Sequence, residues 1–361
     1  MDRNKIHTII TGTGCYIPSW QIPNSYFLNH TFLNSDGKKY DKTNAEIIRK
    51  LEEITGIIER RYVTDDLVVS DIAYMAAVDA IKSSKADKES FDYLIVAHNF
   101  GDVEARSNRT SMVPTIAARV KYKLGIKNPR TIAYDLPFGC PGWLQAVIQA
   151  NYFFKSGDAQ KALVIGAETI SRVSDPHDRD SMIYADGAGA VILEARTSVN
   201  PVGILSHAMR SDSFDHAYML WMDKTYNLNC DDDNIYLRMD GHKLYQYAIS
   251  TVPQVVKESL DKAGVRLDDI KKVLIHQANA KMDEAILKRI YKKYGTHEAP
   301  KHVMPMTISH LGNSSVATLP TLFDMMLKHR LKDHELHNGD IIVFASVGAG
   351  MNINSMVYKM P

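Results

Sequence analysis

The chain carries the same order of elements twice. In the first half a helical pattern leads into an apolar strand at residues 93–97, which ends in His98. In the second half a helical pattern leads into a strand at residues 272–275 (K-V-L-I), which ends in His276, 178 residues after His98. Helices and strands that alternate along a whole chain predict a layered α/β fold, and a repeated order of elements indicates an internal duplication.

Two further features keep nearly this spacing. Cys140, preceded by glycine, opens a helix after a buried strand, and Asn313, also preceded by glycine, opens an apolar, helix-capable run 173 residues later. The duplication predicts two halves, residues 1–198 and 199–361, that face each other. The alternative, in which α/β elements recur in form without a duplication, stays open at this point.

The composition is that of an ordinary globular protein. Of the 361 residues 45% are apolar and 24% are charged, and the net charge of +1 provides no global field for nucleic acid or a membrane surface. Cys15, Cys140 and Cys230 lie far apart without a C-x-x-C pair, which favours free thiols over disulfides or a zinc site. We find no signal peptide and no apolar run of membrane-spanning length, and therefore expect a soluble cytoplasmic protein.

Cys140 lies where a strand gives way to a helix, in the run T-I-A-Y-D-L-P-F-G-C-P-G-W. The N–H groups at a helix N-terminus favour the thiolate, which is the nucleophilic form of cysteine. The alternative is a buried cysteine that only fills space. Cys140, His276 and Asn313 all follow strands or begin helices, and α/β sheets bind ligands at that edge. We therefore expect these three side chains to converge.

A series of ordered motifs resembles the β-ketoacyl-acyl carrier protein synthase III family of the thiolase-like superfamily. The motifs are T-G-T-G at 11–14, T-G-I-I-E-R-R at 55–61, G-C-P-G at 139–142, D-G-A-G-A at 186–190, H-Q-A-N at 276–279, G-N-S-S at 312–315 and V-G-A-G at 347–350. The resemblance implies a thiolase-like five-layered αβαβα sandwich built from two duplicated halves.

The resemblance also implies a Claisen condensation in two half-reactions. Cys140 would take a starter acyl group from a thioester, with the backbone N–H groups of Cys140 and Ala349 as the oxyanion hole. His276 and Asn313 would stabilise the enolate formed when a malonyl group on acyl carrier protein (ACP) loses CO₂. The enolate would attack acyl-Cys140 and give β-ketoacyl-ACP, as in fatty acid initiation. No bound cofactor or metal is implied, because both substrates would arrive on phosphopantetheine, as acyl-coenzyme A or acyl-ACP and as malonyl-ACP.

Further contacts follow from the same resemblance. Gly241 and Asn279 would line the phosphopantetheine tunnel, and Arg179 would contact the nucleotide end of coenzyme A. Val113 would close the end of the acyl pocket, and Val347 would lie in the pocket behind the trio. The basic surface that binds ACP would consist of Lys281, Lys288 and Arg289. Val113 would come from the partner in a homodimer. The basic residues have an alternative interpretation as a merely solvated helix face.

Several residues depart from the family pattern. Lys50 stands where a tryptophan usually stacks on adenine, Ile54 replaces an arginine, and Val113 and Val347 stand in place of phenylalanines. The loss of the tryptophan and the arginine weakens the case for a coenzyme A starter, while the two valines would reshape the pockets. The departures at Lys50, Ile54 and Val347 motivate an alternative function, a specialised ketosynthase or acyltransferase of lipid, pigment or polyketide assembly that uses acyl-ACP. A remote alternative is a non-catalytic ACP-binding subunit, against which the intact trio argues.

Two polar groups are interpreted as structural. His98 mirrors His276 but has no matching role in the family. A cluster at residues 175–180 has the composition of a metal site, and we interpret it as a hydrogen-bonded loop because the similar family segment holds no metal. Its members are Asp175, His177, Asp178 and Asp180.

Overall fold

The structure, a computed structural model, describes residues 5–231, 233–296 and 298–361. Its strands are β1 (Lys5–Tyr16), β2 (Trp20–Pro23), β3 (Glu59–Tyr62), β4 (Tyr93–Ala97), β5 (Asp102–Val103), β6 (Thr110–Ser111), β7 (Ile132–Leu136), β8 (Lys161–Thr169), β9 (Asp186–Ser198), β10 (Gly203–Ser211), β11 (Leu220–Lys224), β12 (Ile235–Met239), β13 (Ile270–Ile275), β14 (Ile341–Gly348) and β15 (Asn352–Lys359). Its α-helices are α1 (Asn44–Thr55), α2 (Val69–Ser84), α3 (Ile116–Leu124), α4 (Gly142–Ser156), α5 (Ser213–His216), α6 (Gly241–Ala263), α7 (Ala280–Lys292), α8 (Ile308–Leu311) and α9 (Thr318–Leu327).

The longer strands form two sheets. The first has the order β1-β9-β8-β4-β7, in which β4 runs parallel to both β7 and β8 while β9 is antiparallel to its neighbours. The second has the order β10-β15-β14-β13, with β13 parallel to β14. The central strands are continuous apolar runs because helices cover both of their faces.

The helices complete three layers around these sheets. Helices α4 and α9 lie between the sheets, in a core that joins Trp143, Phe323 and Phe344. Helices α2 and α3 cover the outer face of the first sheet, and α6 and α7 cover the outer face of the second. The predicted five-layered αβαβα sandwich is confirmed. No helix in the described ranges combines the length and apolar character needed to cross a membrane.

The two sheets repeat each other strand for strand except at one edge. The positions of β4, β8, β9 and β1 in the first sheet are taken by β13, β14, β15 and β10 in the second. Within the described residues, β7 has no regular counterpart. The segment beside β13 contains Val303, whose carbonyl accepts a hydrogen bond from the Val273 N–H at 2.8 Å. Two residues later comes Pro305, which has no N–H and cannot continue the ladder. The chain passes from one sheet to the other between Ser198 and Gly203.

Helix α9 packs directly on β9 because a glycine lies at the contact. A Cβ at Gly189 would come within 2.7 Å of both the Pro320 Cβ and the Thr321 backbone nitrogen. On the same face of the strand, a Cβ at Gly187 would meet its nearest neighbour, the Ser314 Cβ, at 3.5 Å. There is therefore no room for a methyl group at Gly189, whereas a methyl group fits at Gly187.

We expect Gly189→Ala to lower the free energy of unfolding by about 1–3 kcal/mol, the usual cost of overpacking. The obstacle is the backbone of α9, which cannot rotate aside. Urea unfolding followed by far-UV circular dichroism measures the loss. Gly187→Ala is the matched control, and equal losses in the two variants would contradict the proposed tight contact.

Candidate active site

An apolar cavity of about 190 Å³ lies where the parallel strands of both sheets end. Cys140 follows β7, His276 follows β13, and Asn313 precedes the short helical turn before α9. All three side chains border the cavity. The structure thus brings the predicted trio to one place, although the residues come from three separate parts of the chain.

The turn that carries Cys140 packs backbone to backbone against the turn that ends β14. A Cβ at Gly139 would lie 2.8 Å from the Ala349 nitrogen, and one at Gly348 would lie 2.5 Å from the Cys140 nitrogen. Gly139 also has φ +65°, which glycine adopts without strain. Two glycines therefore bring the peptide nitrogens of Cys140 and Ala349 into the same region of the cavity.

The thiol of Cys140 is a protonated group in this site. Helix α4 begins at Gly142, directly after the nucleophile segment, as the sequence predicts. Burial nevertheless raises the pKa of Cys140 to about 11, partly offset by a hydrogen bond from Ser315 Oγ to Cys140 Sγ at 3.3 Å. The expectation that the helix terminus leaves a low-pKa thiolate is wrong, because burial of the sulfur raises its pKa.

His276 is a neutral imidazole at the end of β13. The side chain is buried, and its backbone N–H donates to the Ala345 carbonyl at 2.9 Å, which fixes its place beside β14. Burial lowers its pKa from 6.5 to about 4. Its Nδ1 has no hydrogen-bond partner among the described residues. At neutral pH His276 therefore offers the cavity an uncharged ring with one N–H.

Asn313 is held so that its amide nitrogen stays free for a ligand. Its Oδ1 accepts a hydrogen bond from the Ser315 N–H at 2.9 Å, which leaves the NH₂ group as the available donor. The backbone of Asn313 donates to the Ile183 carbonyl at 3.0 Å and accepts from the Ala185 N–H at 2.8 Å. These two bonds fasten the second-half residue to the first half.

A hairpin formed by β11 and β12 supplies much of the apolar wall, and the sequence analysis missed it. The signal that could have revealed it is the alternation in I-Y-L-R-M at 235–239, which places alternate side chains on opposite faces. The hairpin side chains that border the cavity are Leu220, Trp221, Met222, Leu237 and Met239.

The opposite face of this hairpin binds the acidic loop. Arg238 is buried, and its guanidinium contacts Asp175 at 2.6 Å and Asp178 at 2.9 Å. It also lies 3.7 Å from the centre of the Tyr226 ring. The residues predicted to form a hydrogen-bonded loop do so, and the carboxylates of Asp175 and Asp178 are engaged by a cation of the chain itself.

The residues predicted to line a substrate tunnel lie outside the cavity wall. Among the described residues the wall uses Leu244 and Ala278, neighbours of Gly241 and Asn279. Asn279 instead caps α7, accepting a hydrogen bond from the Met282 N–H at 3.1 Å. The cavity thus reaches the neighbours of Gly241 and Asn279, and their place along the phosphopantetheine tunnel stays a prediction.

The other predicted contacts lie at varied distances from the cavity. Val347 borders it. Arg179 lies at the surface, with its guanidinium 5.0 Å from the centre of the Tyr40 ring. Val113 is 90% exposed in the single chain. The three basic residues Lys281, Lys288 and Arg289 are exposed on α7.

His98 is tied down on both ring nitrogens. Its Nδ1 accepts from the Gly101 N–H at 3.0 Å and its Nε2 lies 3.0 Å from Asp135 Oδ2. Asp135 also accepts from the N–H groups of Ile116 and Ala117 at the start of α3. The ring joins two strand ends to a helix, as expected of a structural histidine.

Neutral burial of His276 has a measurable consequence. A histidine whose folded pKa is about 4 and whose ordinary pKa is 6.5 binds its proton first in the unfolded chain, so stability falls as the pH drops through this interval. We expect His276→Asn to abolish this loss. Between pH 7 and pH 4 the unmodified protein should lose about 3 kcal/mol of unfolding free energy that the variant does not lose.

Chemical unfolding at several pH values measures the difference. His242→Asn, at an exposed histidine on α6, is the control. A parallel pH dependence in the two variants would show that His276 does not titrate in this way.

The chain matches two sequence models of one family. The model described as 3-oxoacyl-[acyl-carrier-protein (ACP)] synthase III matches residues 134–213, and the model of its C-terminal part matches residues 260–360. The chain is 30% identical to beta-ketoacyl-[acyl-carrier-protein] synthase III 1 of Halalkalibacterium halodurans, over 93% of this chain and 96% of that protein.

Solved structures agree with this assignment. The crystal structure of 3-oxoacyl-[acyl-carrier-protein] synthase III from Aquifex aeolicus VF5 matches with a TM-score of 0.78 at 27% identity, covering 98% of this chain and 99% of that one. The priming β-ketosynthase from the R1128 polyketide biosynthetic pathway shares the fold, with a TM-score of 0.80 at 23% identity over 99% and 97% of the two chains. The chain belongs to the 3-oxoacyl-[acyl-carrier-protein] synthase III family and is a condensing enzyme of the acyltransferase class.

Proposed function

We propose that the enzyme loads an acyl group on Cys140 and condenses it with a malonyl group carried by ACP, releasing CO₂ and a β-ketoacyl-ACP. The observation that carries this proposal is the meeting of a buried thiol with two uncharged donors, His276 and Asn313, on one apolar cavity. Such a site suits a covalent acyl intermediate followed by a carbanion that must be kept away from water.

In the first half-reaction the sulfur of Cys140 attacks the thioester carbonyl of the acyl donor. A thiol with a pKa near 11 loses its proton as it attacks, and the departing phosphopantetheine sulfur takes up a proton. The peptide N–H groups of Cys140 and Ala349, brought together by the glycine contact, would donate to the developing oxyanion. One such donor typically contributes about 3–4 kcal/mol to the barrier reduction.

In the second half-reaction the malonyl group loses CO₂ and its thioester carbonyl becomes an enolate. The N–H groups of His276 and Asn313 donate to this oxygen, and the enolate carbon then forms a bond to the acyl carbon while the Cys140 thiolate leaves. A neutral imidazole is the better partner here, because an imidazolium would give its proton to the enolate and quench the carbanion.

A second candidate function is specialised acyl-ACP condensation in lipid, pigment or polyketide assembly. The surface where coenzyme A would rest favours it. Lys50 is exposed on α1 and lies 3.5 Å from Glu53, and Ile54 is 37% exposed. Neither residue offers an aromatic face or a guanidinium to a nucleotide. We therefore propose acyl-ACP as the preferred starter.

We infer that the enzyme is a homodimer. Strand β7 is an edge of the first sheet, and Ile132 at its start is 51% exposed. An edge strand presents unpaired backbone groups to a second strand. Val113, exposed in the single chain, would be covered by the partner and would close the end of its acyl pocket.

We propose that ACP docks on the start and the outer face of α7. Lys281 and Lys288 are seven residues apart and lie on one exposed helix face. Arg289 donates to the Ile249 carbonyl at 3.1 Å, which ties the helix to α6. Met282, in the first turn of the helix, borders the cavity, so a carrier bound there would hold its phosphopantetheine close to Cys140.

The first test is acyl loading. We expect the purified enzyme, incubated with a panel of acyl-ACP and acyl-coenzyme A thioesters, to gain the mass of the acyl group on the Cys140 peptide, faster from acyl-ACP. Cys140→Ala should gain none, while His276→Ala and Asn313→Ala should load but release little CO₂ from malonyl-ACP. Failure of every thioester to load would overturn the proposed function, and a strong preference for coenzyme A would overturn the second candidate.

The second test addresses the carrier surface. We expect Lys281→Glu combined with Lys288→Glu to raise the KM for malonyl-ACP about ten-fold or more, because like charges then face an acidic carrier. Loading from a small acyl thioester should change little. Lys262→Glu is the control, since it lies 18 residues beyond Leu244 on α6, about 27 Å along the helix. An equal effect of the control would indicate loss of charge in general, not docking.

A further inference from the structure

Three polar residues outside the predicted trio form a chain that ends on the nucleophile. Glu168 is fully buried near the end of β8, and its Oε2 accepts from both the backbone N–H and the side-chain Nδ2 of Asn99, at 2.8 and 2.7 Å. The same Nδ2 donates to Ser315 Oγ at 3.2 Å. Ser315 Oγ in turn donates to Cys140 Sγ at 3.3 Å. These contacts cross from the first half of the chain to the second and back.

The direction of each hydrogen bond follows from the first. An ionised carboxylate can only accept, so above a pH of about 7 Glu168 turns the NH₂ group of Asn99 towards itself and away from the alternative amide orientation. The second hydrogen of that NH₂ group is then directed to Ser315 Oγ. A hydroxyl that already accepts from Asn99 has its own hydrogen left for another partner, and the sulfur of Cys140 is that partner.

The backbone of Ser315 indicates that this placement is enforced. Ser315 has φ +52°, in the left-handed region that costs a residue with a side chain some free energy. Its N–H donates to Asn313 Oδ1 at 2.9 Å while its hydroxyl reaches Cys140. One strained serine thus contacts two members of the trio.

We propose that Glu168, Asn99 and Ser315 are positioning residues that fix a hydroxyl donor on Cys140 Sγ, so that the sulfur meets a ready hydrogen bond as it becomes a thiolate. The proposal rests on the proposed role of Cys140 as nucleophile. Asn99 acts on the sulfur only through Ser315, and Glu168 only through Asn99.

Among the described residues the hydrogen bond to the Cys140 sulfur comes from Ser315, and none comes from the ionisable groups nearby. Burial raises the pKa of Glu168 to about 7, and its charge disfavours the thiolate, so its contribution is orientation and not charge. Tyr184 borders the cavity, and burial raises its pKa well above 10. His276 is neutral, and His98 is bound to Asp135 behind the strand ends.

The test is the rate at which iodoacetamide alkylates Cys140, followed on its own peptide by mass spectrometry between pH 7 and pH 9.5. Only the thiolate reacts. We expect Ser315→Ala to slow alkylation about ten-fold or more at each pH, the usual size of a hydrogen bond to a charged group. A merely structural loss of the hydroxyl would open space around the sulfur and would not slow the reaction.

Ser314→Ala is the matched control, because Ser314 is also buried but its hydroxyl contacts Thr318 Oγ1 at 3.3 Å instead of Cys140. It should leave the rate unchanged. Ser315→Gly guards against misfolding, since glycine accepts the positive φ without strain. It should slow alkylation as Ser315→Ala does, with an unchanged circular dichroism spectrum.

Asn99→Ala completes a double-mutant cycle with Ser315→Ala. We expect Asn99→Ala alone to slow alkylation, and the double variant to react no more slowly than Ser315→Ala alone. Additive effects, or a Ser315→Ala rate equal to that of the unmodified enzyme, would overturn the proposal. Alkylation needs no acyl substrate, so a negative result here is distinct from a failure of acyl loading.

Discussion

The contact between the turns at Gly139 and Gly348 holds the active site together. One turn follows β7 of the first sheet, and the other ends β14 of the second. Their backbones approach so closely that a Cβ on either glycine would overlap the nitrogen of Ala349 or of Cys140. Because the nucleophile and both proposed oxyanion donors lie at this contact, their spacing is set by main-chain geometry and not by flexible side chains.

Burial at this contact determines the charge of the site. Desolvation raises the pKa of Cys140 and lowers that of His276, so both groups are uncharged at neutral pH. Hydrogen-bond donors in such a dry, weakly polarisable cavity act strongly on any charge that develops there. The charges of the reaction, an oxyanion, an enolate and a thiolate, are then brought or created by the substrates, and each meets donors that are already oriented.

The sequence predicted best those features that depend on local pattern. The strands at 93–97 and 272–275 are predominantly apolar, and the structure places β4 and β13 there. The trio was identified because each member follows a strand or precedes a helix. The state of Cys140 was predicted wrongly, because the pattern shows a helix terminus but not the depth of burial. The cap that Asn279 forms on α7 was not predicted, since a cap and a tunnel contact look the same in sequence.

The hairpin was missed for a related reason. Its two faces contact residues far away in the chain. Arg238 is buried only because the loop at 175–178 provides two carboxylates. An arginine between apolar neighbours gives no hint of such partners in sequence. Long-range polar pairs of this kind are fixed by the assembled fold, and the same holds for the hydrogen bonds from Glu168 to Cys140.

The two halves share a repeated order of strands and helices, and each half also contains a segment that is not part of this repeat. In each half a segment is inserted between the first strand and the following helix: β2, α1 and β3 between β1 and α2, and α5, β11 and β12 between β10 and α6. The first insertion carries Lys50 and Ile54, and the second carries the apolar wall of the cavity. Both fall largely outside the ranges 134–213 and 260–360 that match the family. The repeated scaffold thus carries Cys140, His276 and Asn313, while the second insertion builds the apolar wall of the cavity that they border. The wall can therefore vary without disturbing the glycine contact that holds Cys140.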